Sequence, residues 1–229
     1  MQPARVTPPL PLPRRAVFID KDGTLVENVP YNVDPTLLRW RPGALPALAA
    51  LAGAGYQLLL ATNQSGLGHG YFTRRQFAWL QQVLVQRLRD EAGVQLLDVM
   101  VCPHAPGPGG APACLCRKPA PGMLTRAARM HRLDLVGSWM VGDTLDDVEA
   151  GRRAGCRTVL LDSGGETRWQ HSPLRTPHAL LRHWEAVVPL ILAGVAGVAD
   201  GADGAGVAGA APGGAPACGL PPAAPCALP

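Results

Sequence analysis

Aromatic residues, lysines and charged residues are all scarce in this chain of 229 residues. Phe, Trp and Tyr total 11, charged residues make up 17%, and of the 21 basic residues only Lys21 and Lys118 are lysines. A single-stranded nucleic-acid groove combines clustered basic side chains with interleaved aromatic rings. With few aromatic residues, scattered arginines and a net charge of only +4, we expect no nucleic-acid partner.

Long apolar runs are also missing. A membrane-spanning helix needs about 20 largely apolar residues, whereas the nearest candidate, 186–199, is shorter and is interrupted by Pro189. The N-terminal segment has prolines where a secretory signal has a continuous apolar core. We therefore expect no membrane segment and a cytoplasmic protein.

Five short apolar runs alternate with helical patterns along the chain. Strands are predicted at 16–19, 57–61, 98–102, 139–142 and 158–161, and helices at 43–54, 74–92, 121–132 and 145–154. Strands that are apolar throughout are typical of a parallel sheet buried on both faces. The alternation predicts an α/β fold with a doubly wound, mainly parallel sheet.

Composition divides the chain into three parts. Residues 1–14 are rich in proline and are predicted to form an extended N-terminal arm, and residues 15–192 carry the folded domain. Residues 193–229 consist mostly of Ala, Gly and Pro. So little bulky apolar surface cannot offset the entropy of ordering, so this tail is predicted to be disordered.

Polar side chains follow three of the predicted strands. Asp20 and Asp22 come after the first, Thr62 and Asn63 after the second, and Asp143 after the fourth. In doubly wound sheets, ligands bind at the carboxyl ends of the strands. Asp20 and Asp22 alone could form an acidic turn, but a third carboxylate at the same edge favours an oxygen-rich Mg²⁺ site.

Such a site suits phosphoryl transfer. A carboxylate beside a magnesium-bound phosphate ester can attack phosphorus, and the transferring group needs positive charge and hydrogen-bond donors. Thr62, Asn63 and Lys118 could supply them. A lone lysine is usually a solvated surface residue, but Lys118 is one of two in the chain and precedes Pro119 in a constrained loop. We therefore expect it in the site.

A second cluster of metal-binding residue types precedes Lys118. Its members are Cys102, His104, Cys114 and Cys116. Three thiolates and one imidazole complete a tetrahedral Zn²⁺ site without an open position, which indicates a structural metal. A chance cluster of reduced thiols is the alternative, since disulfides are rare in the cytoplasm. Zinc would hold the loop that carries Arg117 and Lys118.

Four segments together resemble a known family. "FIDKDGTL", "ATNQS", "RKP" and "VGDTLDD" are similar, in order and spacing, to the four motifs of the haloacid dehalogenase-like (HAD-like) phosphohydrolases. The similarity covers roughly residues 15–165. The Cys/His loop resembles that of one subgroup, the D-glycero-D-manno-heptose 1,7-bisphosphate 7-phosphatases, with histidinol-phosphate phosphatases as close relatives. The resemblance implies a monomeric enzyme with a HAD-like Rossmannoid fold, a zinc-stapled loop and no large cap domain.

The resemblance also implies roles for the motif residues. Asp20 would be the nucleophile that forms an aspartyl-phosphate, and Asp22 would be the general acid and base. Mg²⁺ would be held by the Asp20 carboxylate, the Asp22 main-chain carbonyl and Asp143. Contacts with the phosphoryl group and the rest of the substrate would come from Asn28, Tyr31, Thr62, Asn63, Gln64, Ser65, Arg117 and Lys118.

Two departures from the subgroup leave the substrate open. Residues 27–35 keep a tyrosine but otherwise differ from the usual heptose-enzyme loop, and Thr144 stands where that group commonly has lysine. The sequence favours a magnesium-dependent phosphatase that acts on a small phosphorylated sugar, with the heptose bisphosphate as the first choice. Histidinol phosphate or another small phosphate ester is the alternative. An inactive, zinc-stabilised interaction module is disfavoured because every motif residue is intact.

Overall fold

A parallel β-sheet organises the part of the chain that the computed structural model describes, residues 13–107, 109 and 114–199. The strand order is β3-β2-β1-β4-β5-β6, and all neighbours pair in parallel. The strands are β1 (Arg14–Ile19), β2 (Gln57–Asn63), β3 (Asp98–Cys102), β4 (Leu133–Gly142), β5 (Arg157–Leu161) and β6 (Ala179–Leu181). This topology confirms the predicted doubly wound sheet.

Six α-helices are present in the described residues. They are α1 (Ala44–Gly53), α2 (Ser65–His69), α3 (Arg74–Ala92), α4 (Gly122–His131), α5 (Leu145–Ala154) and α6 (Val187–Ala199). The four predicted helices correspond to α1, α3, α4 and α5, whereas α2, α6 and β6 were not predicted. No helix in these ranges is long and apolar enough to cross a membrane.

The sheet is apolar on both faces because its strands alternate their side chains between two cores. In β1, Val17 and Ile19 join one core with α1, α3 and α6, whereas Ala16 and Phe18 join the other with α4. Successive side chains of a strand point to opposite faces. This explains why the strands appear in the sequence as continuous apolar runs rather than alternating ones.

Two connections at the carboxyl edge of the sheet contain little regular secondary structure. Residues 20–43 join β1 to α1 and contain one 3-10 turn, Pro35–Leu37. Residues 64–73 join β2 to α3 and contain only the short helix α2. Neither connection forms a separate domain, so no large cap domain is evident in the described residues, as expected.

Both predicted domain boundaries need correction where they fall on described residues. Arg14 was assigned to the N-terminal arm but begins β1. Helix α6 continues to Ala199, although disorder was predicted from residue 193. Ile191 is fully buried and Arg157 donates a hydrogen bond to the Gly194 carbonyl at 3.1 Å, so this helix is anchored despite its Ala/Gly-rich composition. Residues 1–12 and 200–229 lie outside the described residues.

Replacing one buried residue of α6 tests this docking. Ile191→Ala removes a fully buried side chain and should lower the free energy of unfolding by about 2–5 kcal/mol. Leu192→Ala is the matched control because Leu192 is 37% exposed, and it should change stability by only about 0.5 kcal/mol. Urea unfolding followed by circular dichroism measures both. Equal unfolding midpoints for the two variants would contradict the docking of α6.

Candidate active site

The predicted polar residues meet where three strands end side by side. The sheet places β1 between β2 and β4, so Asp20, Thr62 and Asp143 come to one edge. The Asp20 N–H donates a hydrogen bond to the Val141 carbonyl at 2.9 Å, which ties the start of the β1 loop to β4. This is the switch point of the sheet, where doubly wound folds bind their ligands.

Three buried carboxylates form a cluster at this point. One oxygen from each of Asp20, Asp143 and Asp147 lies within 4.8 Å of the others. Asp20 and Asp143 were predicted to share a metal. The Asp22 carboxylate lies outside this cluster and accepts a hydrogen bond from Gln64 Nε2 at 2.8 Å. The structure therefore separates Asp22 from Asp20 in position, which two different chemical roles would require.

Asp147 is the site residue that the sequence analysis missed. Its Oδ2 accepts hydrogen bonds from the Thr144 N–H at 3.1 Å and from Thr144 Oγ1 at 2.7 Å. This interaction caps the N-terminus of α5 and turns the carboxylate back toward the strand end. Gly142 leaves the space, since a Cβ there would lie 2.3 Å from the Asp147 Cβ. The T-x-x-D spacing after Asp143 was the available signal.

Lys118 is buried in the site rather than solvated. Its Nζ donates to Asp20 Oδ1 at 2.6 Å and to the Ala61 carbonyl at 2.7 Å. It also forms an ion pair with Asp147 Oδ1 at 2.6 Å. Asn63 fixes the backbone of Lys118, accepting from its N–H at 3.1 Å and donating to its carbonyl at 3.2 Å.

The charges of the site favour a divalent cation. Burial raises the pKa of Asp20 to about 8 although Lys118 opposes the shift, and burial together with Asp147 raises the pKa of Asp143 to about 6. Burial alone would lower the pKa of Lys118, but the Asp147 and Asp20 carboxylates raise it, so the ammonium stays charged. One ammonium among three carboxylates leaves negative charge uncompensated. The donor set therefore fits Mg²⁺, which binds carboxylate oxygens and favours their ionised form.

A cavity of about 240 Å³ opens beside Asp22. The predicted substrate-contacting residues on its wall are Asn28, Tyr31, Asn63, Gln64 and Ser65, together with Asp22. Thr62 is buried behind them and accepts a hydrogen bond from Gln64 Nε2 at 2.9 Å. Arg117 is not on this wall, and its guanidinium donates to the His104 carbonyl at 3.4 Å. Apart from Arg117, the structure brings the predicted contacts together.

The predicted zinc ligands also converge. Cys116 Sγ lies 3.3 Å from both Cys102 Sγ and His104 Nδ1, and Cys114 Sγ lies 3.3 Å from Cys116 Sγ. Burial raises the pKa of Cys102 to about 12, whereas in Cys114 burial is outweighed by the Arg117 N–H and the other thiols, which lower its pKa to about 7. Four ligand atoms gathered in this way fit tetrahedral Zn²⁺.

Comparisons with known proteins agree on one family. A family model described as HAD-hydrolase-like matches residues 115–186. A protein of Helicobacter pylori named D-glycero-beta-D-manno-heptose-1,7-bisphosphate 7-phosphatase is 34% identical over 73% of this chain and 91% of its own length. A protein of the same name from Mesorhizobium japonicum is 42% identical over 70% of this chain and 73% of its own length.

A solved structure gives the same picture. D,D-heptose 1,7-bisphosphate phosphatase from B. bronchiseptica, crystallised with magnesium and phosphate, is 31% identical to this chain. The two superimpose with a TM-score of 0.68 over 79% of this chain and 99% of that one. The similarity therefore covers nearly the whole of that enzyme.

Gly165 offers a test of the carboxylate cluster that displaces one carboxylate without removing any. A Cβ at Gly165 would lie 2.1 Å from Asp143 Oδ2, so Gly165→Ala should make the Asp143 side chain rotate away while the fold is kept. Because ligand binding stabilises the folded state, we expect Mg²⁺ to raise the melting temperature of this variant less than that of the wild type.

Gly53→Ala is the matched control, since a Cβ at Gly53 meets nothing within 4 Å. Thermal unfolding with and without Mg²⁺ measures all three proteins. The same Mg²⁺-induced rise in Gly165→Ala and Gly53→Ala would count against Asp143 as a metal ligand.

The zinc assignment predicts the metal content of two cysteine variants. Cys114→Ala removes one of four ligands and should reduce bound zinc from one ion per chain to nearly none. Cys156→Ala removes a buried thiol outside the cluster and should keep the zinc. Elemental analysis of the purified proteins decides between them, and one zinc per chain in Cys114→Ala would show that the ligand set is wrong.

Proposed function

Since the chain belongs to the HAD-like phosphatases and, within them, to the D-glycero-D-manno-heptose 1,7-bisphosphate 7-phosphatase group, we propose that it hydrolyses the 7-phosphate of this sugar bisphosphate. The observation that carries the proposal is the placement of Asp20. This buried carboxylate touches the Lys118 ammonium at 2.6 Å and lies beside Asp143 and Asp147. Asp22, two residues on, lines the adjoining cavity.

The first half of the reaction transfers the phosphoryl group to Asp20. A carboxylate oxygen of Asp20 attacks phosphorus and the bond from phosphorus to the sugar oxygen breaks. Asp22 donates a proton to that departing oxygen, so the sugar leaves as an alcohol. The Lys118 ammonium next to Asp20 offsets the charge of the phosphoryl oxygens.

The second half restores the enzyme. Asp22, now ionised, accepts a proton from a water molecule that attacks phosphorus, and the Asp20–phosphorus bond breaks to release orthophosphate. Gln64 Nε2 lies 2.8 Å from Asp22 Oδ2 and holds this carboxylate at the cavity wall in both halves. No other proton donor or acceptor is required.

Mg²⁺ and Zn²⁺ belong to the proposal as well. Asp20, Asp143 and the Asp22 main-chain carbonyl would hold Mg²⁺, with Asp147 completing the carboxylate cluster and orienting Lys118. When bound, Mg²⁺ supplies positive charge that neutralises the phosphoryl oxygens. Zn²⁺ on Cys102, His104, Cys114 and Cys116 would be structural and would brace the loop that ends in Lys118.

Thr144, which stands where the heptose enzymes commonly have lysine, orients Asp147. Its N–H and its hydroxyl both donate to Asp147, and Asp147 in turn pairs with Lys118. A substrate with one phosphate fewer, such as histidinol phosphate, remains the second candidate because the lysine is missing.

The expectations of a monomer, of a cytoplasmic location and of no nucleic-acid partner stay predictions.

Phosphate release across a small substrate panel tests the proposal. With Mg²⁺, the enzyme should turn over a heptose 1,7-bisphosphate with a kcat/KM at least about tenfold above histidinol phosphate and fructose 1,6-bisphosphate. Both anomers are included, and the β anomer is expected to be preferred because both relatives described above are named for it. A preference for histidinol phosphate would replace the proposed substrate and leave the chemistry intact.

Asp20→Asn tests the chemistry on any substrate of the panel. The amide is a poor nucleophile, so kcat should fall by more than about a thousandfold. Asp90→Asn is the control because Asp90 is an exposed carboxylate on α3, and it should keep full turnover. Substantial turnover by Asp20→Asn, in a protein verified by mass, would refute the assignment of the nucleophile.

A further inference from the structure

Three aromatic rings from two segments meet at the mouth of the cavity. The rings of Tyr31 and Tyr71 pack edge to face with centroids 4.7 Å apart. On Tyr71, the His69 ring stacks with a centroid distance of 5.1 Å. Tyr31 lines the cavity, whereas His69 and Tyr71 lie just beyond it, at the end of α2 and in the turn before α3. We call these three residues the ring cluster.

The ring cluster exposes two tyrosine rings, although aromatic residues are scarce in this chain. The chain has only three tyrosines, and Tyr56 is buried in the core. The other two are 52% (Tyr31) and 61% (Tyr71) exposed and touch each other. Single exposed apolar residues are ordinary, but contiguous exposed rings beside a cavity are typical of ligand-binding surfaces.

The backbone of Tyr31 also adopts an unfavourable conformation that its surroundings must maintain. Its φ is 55°, in the left-handed region that bulky residues avoid. Such conformations persist where the surroundings enforce them, and they concentrate at binding sites. The edge-to-face contact with Tyr71 is the side-chain interaction that the structure provides to hold this ring in place.

The segment that carries Tyr71 is itself firmly placed. Gly66 lies against the Phe72 ring, which a Cβ would approach to 2.2 Å, and Gly68 lies against the backbone of Pro103 and Ala105 in the zinc loop. The capping box of Thr73 and Gln76 starts α3 directly after Phe72. Tyr71 therefore lies between the packed helix α2 and the capped start of α3. Its own position is fixed, as a residue that positions another ring requires.

We propose that Tyr71 is a specificity-determining positioning residue: with His69 behind it, Tyr71 holds Tyr31 over the cavity mouth, where the Tyr31 ring forms a surface for the non-reacting part of the sugar. The inference rests on the proposed function, since it assumes a substrate that extends from the phosphate at Asp20 to the cavity mouth. Aromatic faces and edges offer apolar area with a polar handle, which suits a polyhydroxylated carbon chain. A phosphate ester too small to reach the mouth would not sense the rings.

Three variants and two substrates test the proposal. Tyr71→Ala should lower kcat/KM for the preferred heptose bisphosphate about tenfold, mainly through KM, and should leave hydrolysis of acetyl phosphate unchanged. Tyr71→Phe keeps the ring and should behave like the wild type on both substrates. Trp79→Ala is the control: Trp79 is 59% exposed on α3 and does not line the cavity, so it should change neither.

Each contrary result has a distinct meaning. If Tyr71→Ala keeps the wild-type ratio of the two kcat/KM values, whether or not both values fall, the ring cluster does not determine specificity. The proposal is then overturned. If the wild type prefers another panel substrate to the heptose bisphosphate, the proposed substrate fails. The Tyr71 comparison is then made with that preferred substrate against acetyl phosphate and is judged by the same ratio.

A double-mutant cycle separates positioning from direct contact. If Tyr71 acts through Tyr31, Tyr31→Ala should lose as much specificity as the double variant Tyr31→Ala/Tyr71→Ala, because no ring remains for Tyr71 to position. Additive losses would show that Tyr71 acts independently of Tyr31 and would overturn the positioning role.

Discussion

The site depends on one buried ammonium held among carboxylates at the end of the sheet. Lys118 reaches Asp20, Asp147 and the end of β2 at once. Removing its charge would leave two buried carboxylates uncompensated, which costs on the order of 3–5 kcal/mol. Neighbouring residues support this contact: Asn63 hydrogen-bonds to the lysine backbone, and Thr144 turns Asp147 inward. The Cys/His cluster, which could hold a metal ion, lies in the loop that leads to Lys118.

Much of this could be predicted from the sequence because the signals are local. Buried parallel strands are continuous apolar runs, and Asp20 and Asp143 directly follow such runs, with Asp22 two residues after Asp20. The Cys/His spacing indicated a zinc site without knowledge of the fold. The comparisons confirm the family that these motifs indicated.

The rest depends on contacts between distant parts of the chain. The T-x-x-D spacing marks Asp147 as a helix-capping residue, but its ion pair with Lys118 joins distant parts of the chain. Helix α6 has the composition of the tail that follows, and its docking rests on a few buried positions such as Ile191. Tyr71 lies 40 residues after Tyr31 in the sequence, so their ring contact had no local signal.

The most direct test of the account is to trap the phosphorylated enzyme. Rapid acid quenching during turnover, followed by borohydride reduction, converts an acyl phosphate of aspartate to homoserine, which peptide mass spectrometry can locate. The account predicts homoserine at position 20 and at no other carboxylate, and none in enzyme quenched without substrate. Turnover that leaves Asp20 unmodified, or modification at Asp22 instead, would contradict it.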